Sequence, residues 1–457
     1  MTRPTWVPNT VFYQVFPDRF RNGDPRLDPP DVVPWGSPPT HHEFQGGDLL
    51  GVIKGLRHLE WLGVSGIYLN PVFAAQTNHR YDTRDYFAVD PHLGDIGILR
   101  ELVEEAHSLG IRVILDGVFN HCGADHPAFR DWRRLGDKGT HAGWFFGWGG
   151  PQPAGEPDYQ TCGGAAYLPK LNLDNPEVRD HVLRAATYWI DEAHIDGWRL
   201  DVPWKVPLDF WEQFGQTVRS VAPDAYLVGE IWRDAALWLD VFDGTMNYQQ
   251  RAAIIDYTIT DAMDGEDFHL EIAELLRRHG EAAPWMLNLV GCHDTSRILT
   301  VAGSDVERVK VALTAMFTLP GAPMLYYGDE IGLEGGDDPG CRGAMPWDTA
   351  AWNHDLLATV RSLVAIRRQH PALSSSTFEP LVERNGLCAY ARRHESDRAI
   401  VVLNPRGPQR DLPITVDTGM WIDVLSGTTY EAKDRTLLLD TVPGRSALLL
   451  ISQEKAP

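Results

Sequence analysis

The chain has 457 residues, 43% of them apolar, enough for one large α/β domain and a small second one. Its formal charge of −22 excludes nucleic acid and anionic membrane surfaces as partners, because both are bound through basic patches. The opening Met1-Thr2-Arg3-Pro4-Thr5-Trp6 has no apolar signal core, no run reaches transmembrane length, and Cys122, Cys162, Cys292, Cys341 and Cys388 form no CxxC pair, so a cytoplasmic location is expected.

Apolar runs recur in chain order with helical patterns between them. Residues 11–16 read as a first strand, and residues 66–69 as a second, after a helix-like stretch ending near Leu62. Residues 112–116 follow a helical stretch at 99–109. The stretch 122–171 breaks the rhythm; it is rich in Gly, Pro, Trp and His, with Gly143-Trp144-Phe145-Phe146-Gly147-Trp148-Gly149-Gly150 in its middle. A long excursion at a strand's C-terminal end predicts a wall of the functional cleft.

Between Asn175 and Ala193 the apolar positions are Val178, Val182, Ala185, Ala186, Trp189 and Ile190, an amphipathic helical stripe with Asn175 as cap and Pro176 in the first turn. Strands follow at 197–202, 226–231, 286–290 and 324–327, with a sixth expected within 243–254. After Leu373 the runs shorten to 387–391, 399–403 and 447–451, parted by turn residues. Alternating strands and helices predict a parallel sheet, and seven or eight such units a (β/α)8 barrel with its active residues at the strands' C-terminal ends. The expected division is a barrel over 1–121 and 173–372, an inserted loop-rich domain over 122–172 after strand 3, and a C-terminal all-β sandwich domain over 373–457.

Gly197-Trp198-Arg199-Leu200-Asp201, Gly229-Glu230-Ile231-Trp232 and His293-Asp294 each place a carboxylate just after an apolar run. Glycoside hydrolysis needs such a set: a nucleophile, an acid that becomes a base, and a third group that holds the sugar. Like charges raise one another's pKa, so Asp201 and Asp294 are expected to keep Glu230 protonated as the acid. Arg199 lies two residues before Asp201 on the same strand face and is expected to keep that carboxylate ionised. The 16 Trp and 14 Tyr serve core packing first, and some are expected to form platforms for sugar rings.

The four segments Asp116-Gly117-Val118-Phe119-Asn120-His121, Gly197–Asp201, Gly229–Trp232 and His293-Asp294 resemble, in order, the four signature regions of the α-amylase superfamily, family 13 of the retaining glycoside hydrolases. The resemblance implies Asp201 as nucleophile, Glu230 as general acid/base and Asp294 as the group that stabilises the transition state. It implies that His121 and His293 bond the sugar there, with Tyr81 stacked beneath it. Leu168-Pro169-Lys170-Leu171-Asn172 is similar to a segment of the neopullulanases, cyclomaltodextrinases and maltogenic amylases. That likeness implies Asp338 and Arg342 one sugar further along, and Trp232 on the leaving-group side. The same subfamily implies structural calcium at Asn22, Asp24, Asp28, Gly46 and Asp48, all hard oxygen ligands.

Two segments depart from the subfamily. Trp6 to Phe16 leads straight into the barrel where relatives carry an extra N-terminal β domain that supports dimerisation, so a monomer is expected. The subfamily's Val-Ala-Asn-Glu after the nucleophile is replaced by Val202-Pro203-Trp204-Lys205. The expected activity is retaining hydrolysis of α-1,4 bonds, and some α-1,6 bonds, in cyclodextrins, maltooligosaccharides, pullulan or starch. The alternatives are a glucan transferase or an isomerase, which share the first half-reaction, and a non-catalytic sugar binder, which the full carboxylate set argues against.

Overall fold

The computed structural model describes residues 2–147, 155 and 157–453. Eight parallel strands build the main layer: β1 (Phe12–Val15), β2 (Gly66–Leu69), β3 (Arg112–Gly117), β4 (Gly197–Leu200), β5 (Tyr226–Gly229), β6 (Gly244–Thr245), β7 (Leu287–Asn288) and β8 (Ala322–Tyr326). They pair in the order β6-β5-β4-β3-β2-β1-β8-β7, and a parallel bridge between Met246 and Leu287 joins the two ends into a barrel.

The period-2 alternation of a strand sorts its residues between two cores. Phe12, Tyr68, Ile114, Tyr226, Val228, Met246, Leu287 and Met324 fill the inside. Their neighbours Tyr13, Ile67, Val113, Trp198, Leu227 and Leu325 face outward into the layer of helices. Two residues beyond an inner apolar position, the inner row turns polar at the C-terminal mouth: Gln14 after Phe12, Asn70 after Tyr68, Asp116 after Ile114, Glu230 after Val228. Arg199 and Asp201 continue the row on β4, which is why carboxylates from separate strands meet. Gly197 begins β4 at φ +154°, where a Cβ would lie 2.1 Å from the Tyr226 carbonyl oxygen; only glycine lets the two strands close there.

The helices follow where amphipathic spacing predicts them. Asp48 caps Leu49–Leu62, Asp95 caps Ile96–Ser108 and Asn175 caps Pro176–Ala193, each accepting a backbone N–H in the first turn. The expected alternation fails once. β5 is followed only by the short 3-10 turn Ala236–Asp240, and β6 arises at the very start of the expected stretch, with the helix Tyr248–Thr258 taking the rest. Two residues of strand leave too short an apolar signature to read.

After β3 the chain makes its excursion. The helix Pro127–Leu135 and the bridges His121–Lys170, Phe145–Leu171 and Thr161–Pro169 hold it together. Phe145 and Tyr159 stand edge-on to Phe129, with ring centroids 5.0 and 4.9 Å away. Trp144 is buried against His181. These aromatics are packing groups, whereas Trp148, Gly149 and Gly150 of the same run lie outside the described residues.

A six-stranded antiparallel sheet closes the chain, faced by the pair Gln409–Thr415 and Thr436–Val442. One sheet face, with Leu387, Ala389, Ile400 and Val402, packs on that pair. The other, with Cys388, Tyr390, Val401 and Leu403, joins the barrel's outer core. Among the described residues no helix is long and apolar enough to cross a membrane.

Candidate active site

Arg199 is fully buried and organises the mouth of the barrel. Its Nη1 donates to Asp116 Oδ1 at 2.8 Å and to Asp201 Oδ1 at 2.9 Å, and its Nη2 lies 3.1 Å from Glu230 Oε2. One cation therefore serves three carboxylates. The expected pull of Arg199 toward an ionised Asp201 is present, and it is opposed. Burial, joined by the charges of Glu230, Asp116 and Asp294, pushes the Asp201 carboxyl well above the usual range, and Arg199 only opposes this. Asp201 Oδ1 is held by the guanidinium, and the residue borders the cleft.

Glu230 follows β5 directly and is ringed by N–H donors. Trp232 Nε1 donates to Oε1 at 2.7 Å and the backbone N–H of Val202 to Oε2 at 2.9 Å. Val202 reaches that position at φ +37°, ψ 48°, a left-handed conformation that costs a β-branched residue strain. The 3-10 turn Pro203–Lys205 starts there, anchored by Trp211 Nε1 donating to the Pro203 carbonyl at 3.0 Å.

A second network positions the histidine of His293-Asp294. Gln14 Nε2 lies 2.9 Å from Asn70 Oδ1 and 2.7 Å from His293 Nδ1. With Nδ1 accepting from Gln14, His293 Nε2 carries the proton. That nitrogen lies 2.5 Å from the Tyr81 hydroxyl and 3.2 Å from Asp294 Oδ2. Tyr81 passes its own proton toward Asp116 Oδ2 at 2.9 Å, beside Tyr68 at 2.5 Å. Burial and the cations of Arg342 and Arg199 hold His293 well below its usual range, so it is neutral. Tyr81 and His293 stack at 5.6 Å with planes 5° apart.

Arg342 ties the third carboxylate to the far side. Its Nη2 lies 3.2 Å from Asp294 Oδ1 and its Nε 3.0 Å from Asp338 Oδ1. Burial pushes His121 down to about 4, and its Nε2 is buried with no partner of its own. An unpartnered ring nitrogen at the edge of a cleft suits a ligand hydroxyl. Asp201, Glu230, Asp294, Tyr81, His121, Trp232, Asp338 and Arg342 all border one cavity of about 310 Å³. Cys162, Tyr167 and Leu168 of the excursion wall it, joined by His41 and His79.

Gln14, His41 and Tyr167 are site residues that the sequence does not single out. Gln14 carried a signal, a polar residue interrupting an apolar strand; His41 and Tyr167 sit on loops and carried none.

The N-terminal loop brings together only part of the expected metal set. Asn22 Oδ1 is buried without a partner, Asn22 Nδ2 donates to Asp28 Oδ1 at 2.8 Å, and a Cβ at Gly46 would lie 2.5 Å from that oxygen. Burial and the charges of Asp48, Asp18 and Asp24 raise the Asp28 carboxyl, an electrostatic deficit that a cation would relieve. The other two carboxylates are engaged elsewhere. Asp24 pairs with Arg26 at 2.5 Å, and Asp48 accepts from the amides of Gly23, Asp24 and Gly51. Asn22, Asp28 and Gly46 thus fit an oxygen-liganded cation, while Asp24 and Asp48 of the same expected set also hold Arg26 and the loop's amides.

Comparison with known proteins places the whole arrangement. The model of the alpha amylase catalytic domain matches residues 14–353. A cyclomaltodextrinase of Bacillus sp is 44% identical over 409 residues, covering 88% of this chain and 73% of the relative. Neopullulanase 2 of Thermoactinomyces vulgaris is 39% identical, covering 98% and 78%. Among solved structures, the ligand-free cyclic alpha-maltosyl-(1→6)-maltose hydrolase from Arthrobacter globiformis superposes with a TM-score of 0.87 at 40% identity, covering 99% of this chain and 100% of that one.

Proposed function

The chain belongs to the α-amylase family and is an α-glucan hydrolase, and from that premise we propose that it cleaves α-1,4 and some α-1,6 glucosidic bonds with retention, small cyclic α-glucans being its preferred substrates. One observation carries the mechanism: Arg199 ties Asp201 and Glu230 together at the mouth of the barrel, with Asp294 across the same cavity. The Asp201 carboxylate attacks the anomeric carbon while Glu230 protonates the departing glycosidic oxygen, so one C–O bond forms as the other breaks. Glu230, now a base, takes a proton from water, which releases the sugar from Asp201. Asp294, His293 and His121 offer hydrogen bonds to hydroxyls of the sugar under attack, and Asp338 and Arg342 to its neighbour. The names of the Bacillus and Arthrobacter relatives support the preference for rings.

Calcium, on this reading, is held by Asn22, Asp28 and Gly46 and has a structural role, fixing the loop that leads into Leu49–Leu62.

Initial rates on β-cyclodextrin, pullulan and soluble starch, with the first-formed anomer followed by proton NMR, test the proposal. Cyclodextrin ahead and α-anomer first are expected. Starch ahead with a ladder of oligosaccharides overturns the preference for rings, and β-anomer first overturns retention.

A further inference from the structure

Trp232 borders two cavities. One is the catalytic cleft; the other, of about 570 Å³, is lined by Trp204, Ile231, Trp232, Arg233, Asp234 and Trp238. Trp189, Trp198 and Trp211 are fully buried, as packing demands, but Trp204 is 41% and Trp232 40% exposed. An exposed cluster of large rings around an open cavity is the informative exception to burial.

These rings are held rather than loose. Trp232 lies flat on Tyr248, centroids 3.8 Å apart and planes 9° apart, and Trp238 stands parallel to Phe242 at 6.0 Å and 8°. Trp204 rides on the anchored turn Pro203–Lys205, the segment that departs from the subfamily's Val-Ala-Asn-Glu. Arg233 and Asp234 supply hydrogen-bonding edges. Flat apolar faces beside polar edges match a pyranose, whose C–H face stacks while its hydroxyls bond in plane. The direction is fixed by Glu230. Its Oε1 bonds Trp232 Nε1, and the acid's proton goes to the leaving oxygen, so the cavity beyond Trp232 lies on the leaving-group side.

We propose that Trp204 and Trp238 form a second sugar platform beyond Trp232, making this chain selective for substrates with at least two glucosyl units on the leaving-group side. The inference rests on Glu230 as acid in the function proposed above. This chain's own Pro203-Trp204-Lys205 creates the platform.

The test is the bond-cleavage pattern of maltotriose and maltotetraose labelled with ¹⁸O at the reducing end. In the unmodified enzyme, cuts that leave two glucosyl units on the leaving side outnumber those that leave one. In Trp204→Ala and in Trp238→Ala the ratio falls about tenfold, the size of one ring contact, while Trp204→Phe, which keeps a flat face, restores most of it. The ratio compares two cuts within one molecule, so it does not depend on the fraction of folded enzyme. An unchanged ratio in both alanine variants overturns the inference. Failure of the unmodified enzyme to cut any maltooligosaccharide overturns the functional reading instead.

Discussion

Val202, held at φ +37°, donates its backbone N–H to Glu230 Oε2 at 2.9 Å. A β-branched residue is a poor choice for that conformation, and the bond couples the strained turn to the position of Glu230. In Val202→Gly the strain vanishes, so stability should rise by on the order of 1 kcal/mol once glycine's larger unfolded-state entropy is subtracted. The looser turn should cost kcat about tenfold through misplacement of Glu230. Thermal melts and kcat on one maltooligosaccharide check this; a variant both less stable and fully active contradicts it.

Asp201→Asn should lower kcat by 10⁴-fold or more (order of magnitude), as loss of a nucleophile does. It should also raise Tm at pH 7. The Asp201 carboxyl is raised in the folded state, chiefly by burial. The folded form therefore favours the proton: the stability contribution is present below the ordinary Asp value of about 3.9 and is lost as pH rises through the folded value. Above that window the ionised buried carboxylate costs stability, and Asn removes the cost. The Tm gain should shrink as pH falls toward 4; a Tm loss at pH 7 counts against this electrostatic account.

Acid should weaken the excursion after β3. Burial depresses His126 to about 3 and His181 to about 4; His181 and His141 press His126 further down, and Arg184 and His141 do the same to His181. Their stability contribution is whole above the ordinary His value of about 6.5 and is lost as pH falls through the folded values, with a slope of up to about 1.4 kcal/mol per pH unit for each group. His181 packs edge-on to Tyr86, Phe87 and Trp144, and its Nε2 is a buried orphan. Phenylalanine fits those contacts without titrating. His181→Phe should flatten the fall in Tm between pH 6.5 and 4, and an unchanged slope would point to other groups.

Removing calcium with a chelator should lower Tm, by the equivalent of about 2.7 kcal/mol when the ion had been present at a hundredfold excess over its Kd. Asp28→Asn relieves the crowding of Asp28 by Asp48, Asp18 and Asp24. Its metal-free Tm should therefore be no lower than that of the unmodified protein, while its calcium-induced shift disappears. Titration calorimetry with CaCl₂ reads binding directly, and a full calcium response in Asp28→Asn excludes the site.

The sequence by itself determined the barrel, the small β domain and the family to which the chain belongs. Strand periodicity and the placement of carboxylates after apolar runs are local properties, and β4 and β5 lie where they predict. It also determined that Arg199 shares a strand face with Asp201, since residues two apart on a strand always do. Only the tertiary structure decided what that arginine is worth. Asp116 and Glu230 reach it from neighbouring strands, so its charge is divided and burial governs Asp201. The same holds for Trp204 and Trp238. They are 34 positions apart, with nothing in either flank to join them, and only the chain's path from β4 to β6 brings both rings to one cavity. Periodicity records which face of an element a residue takes, whereas the groups that meet across elements are set by packing, and pKa, selectivity and strain all follow from those meetings.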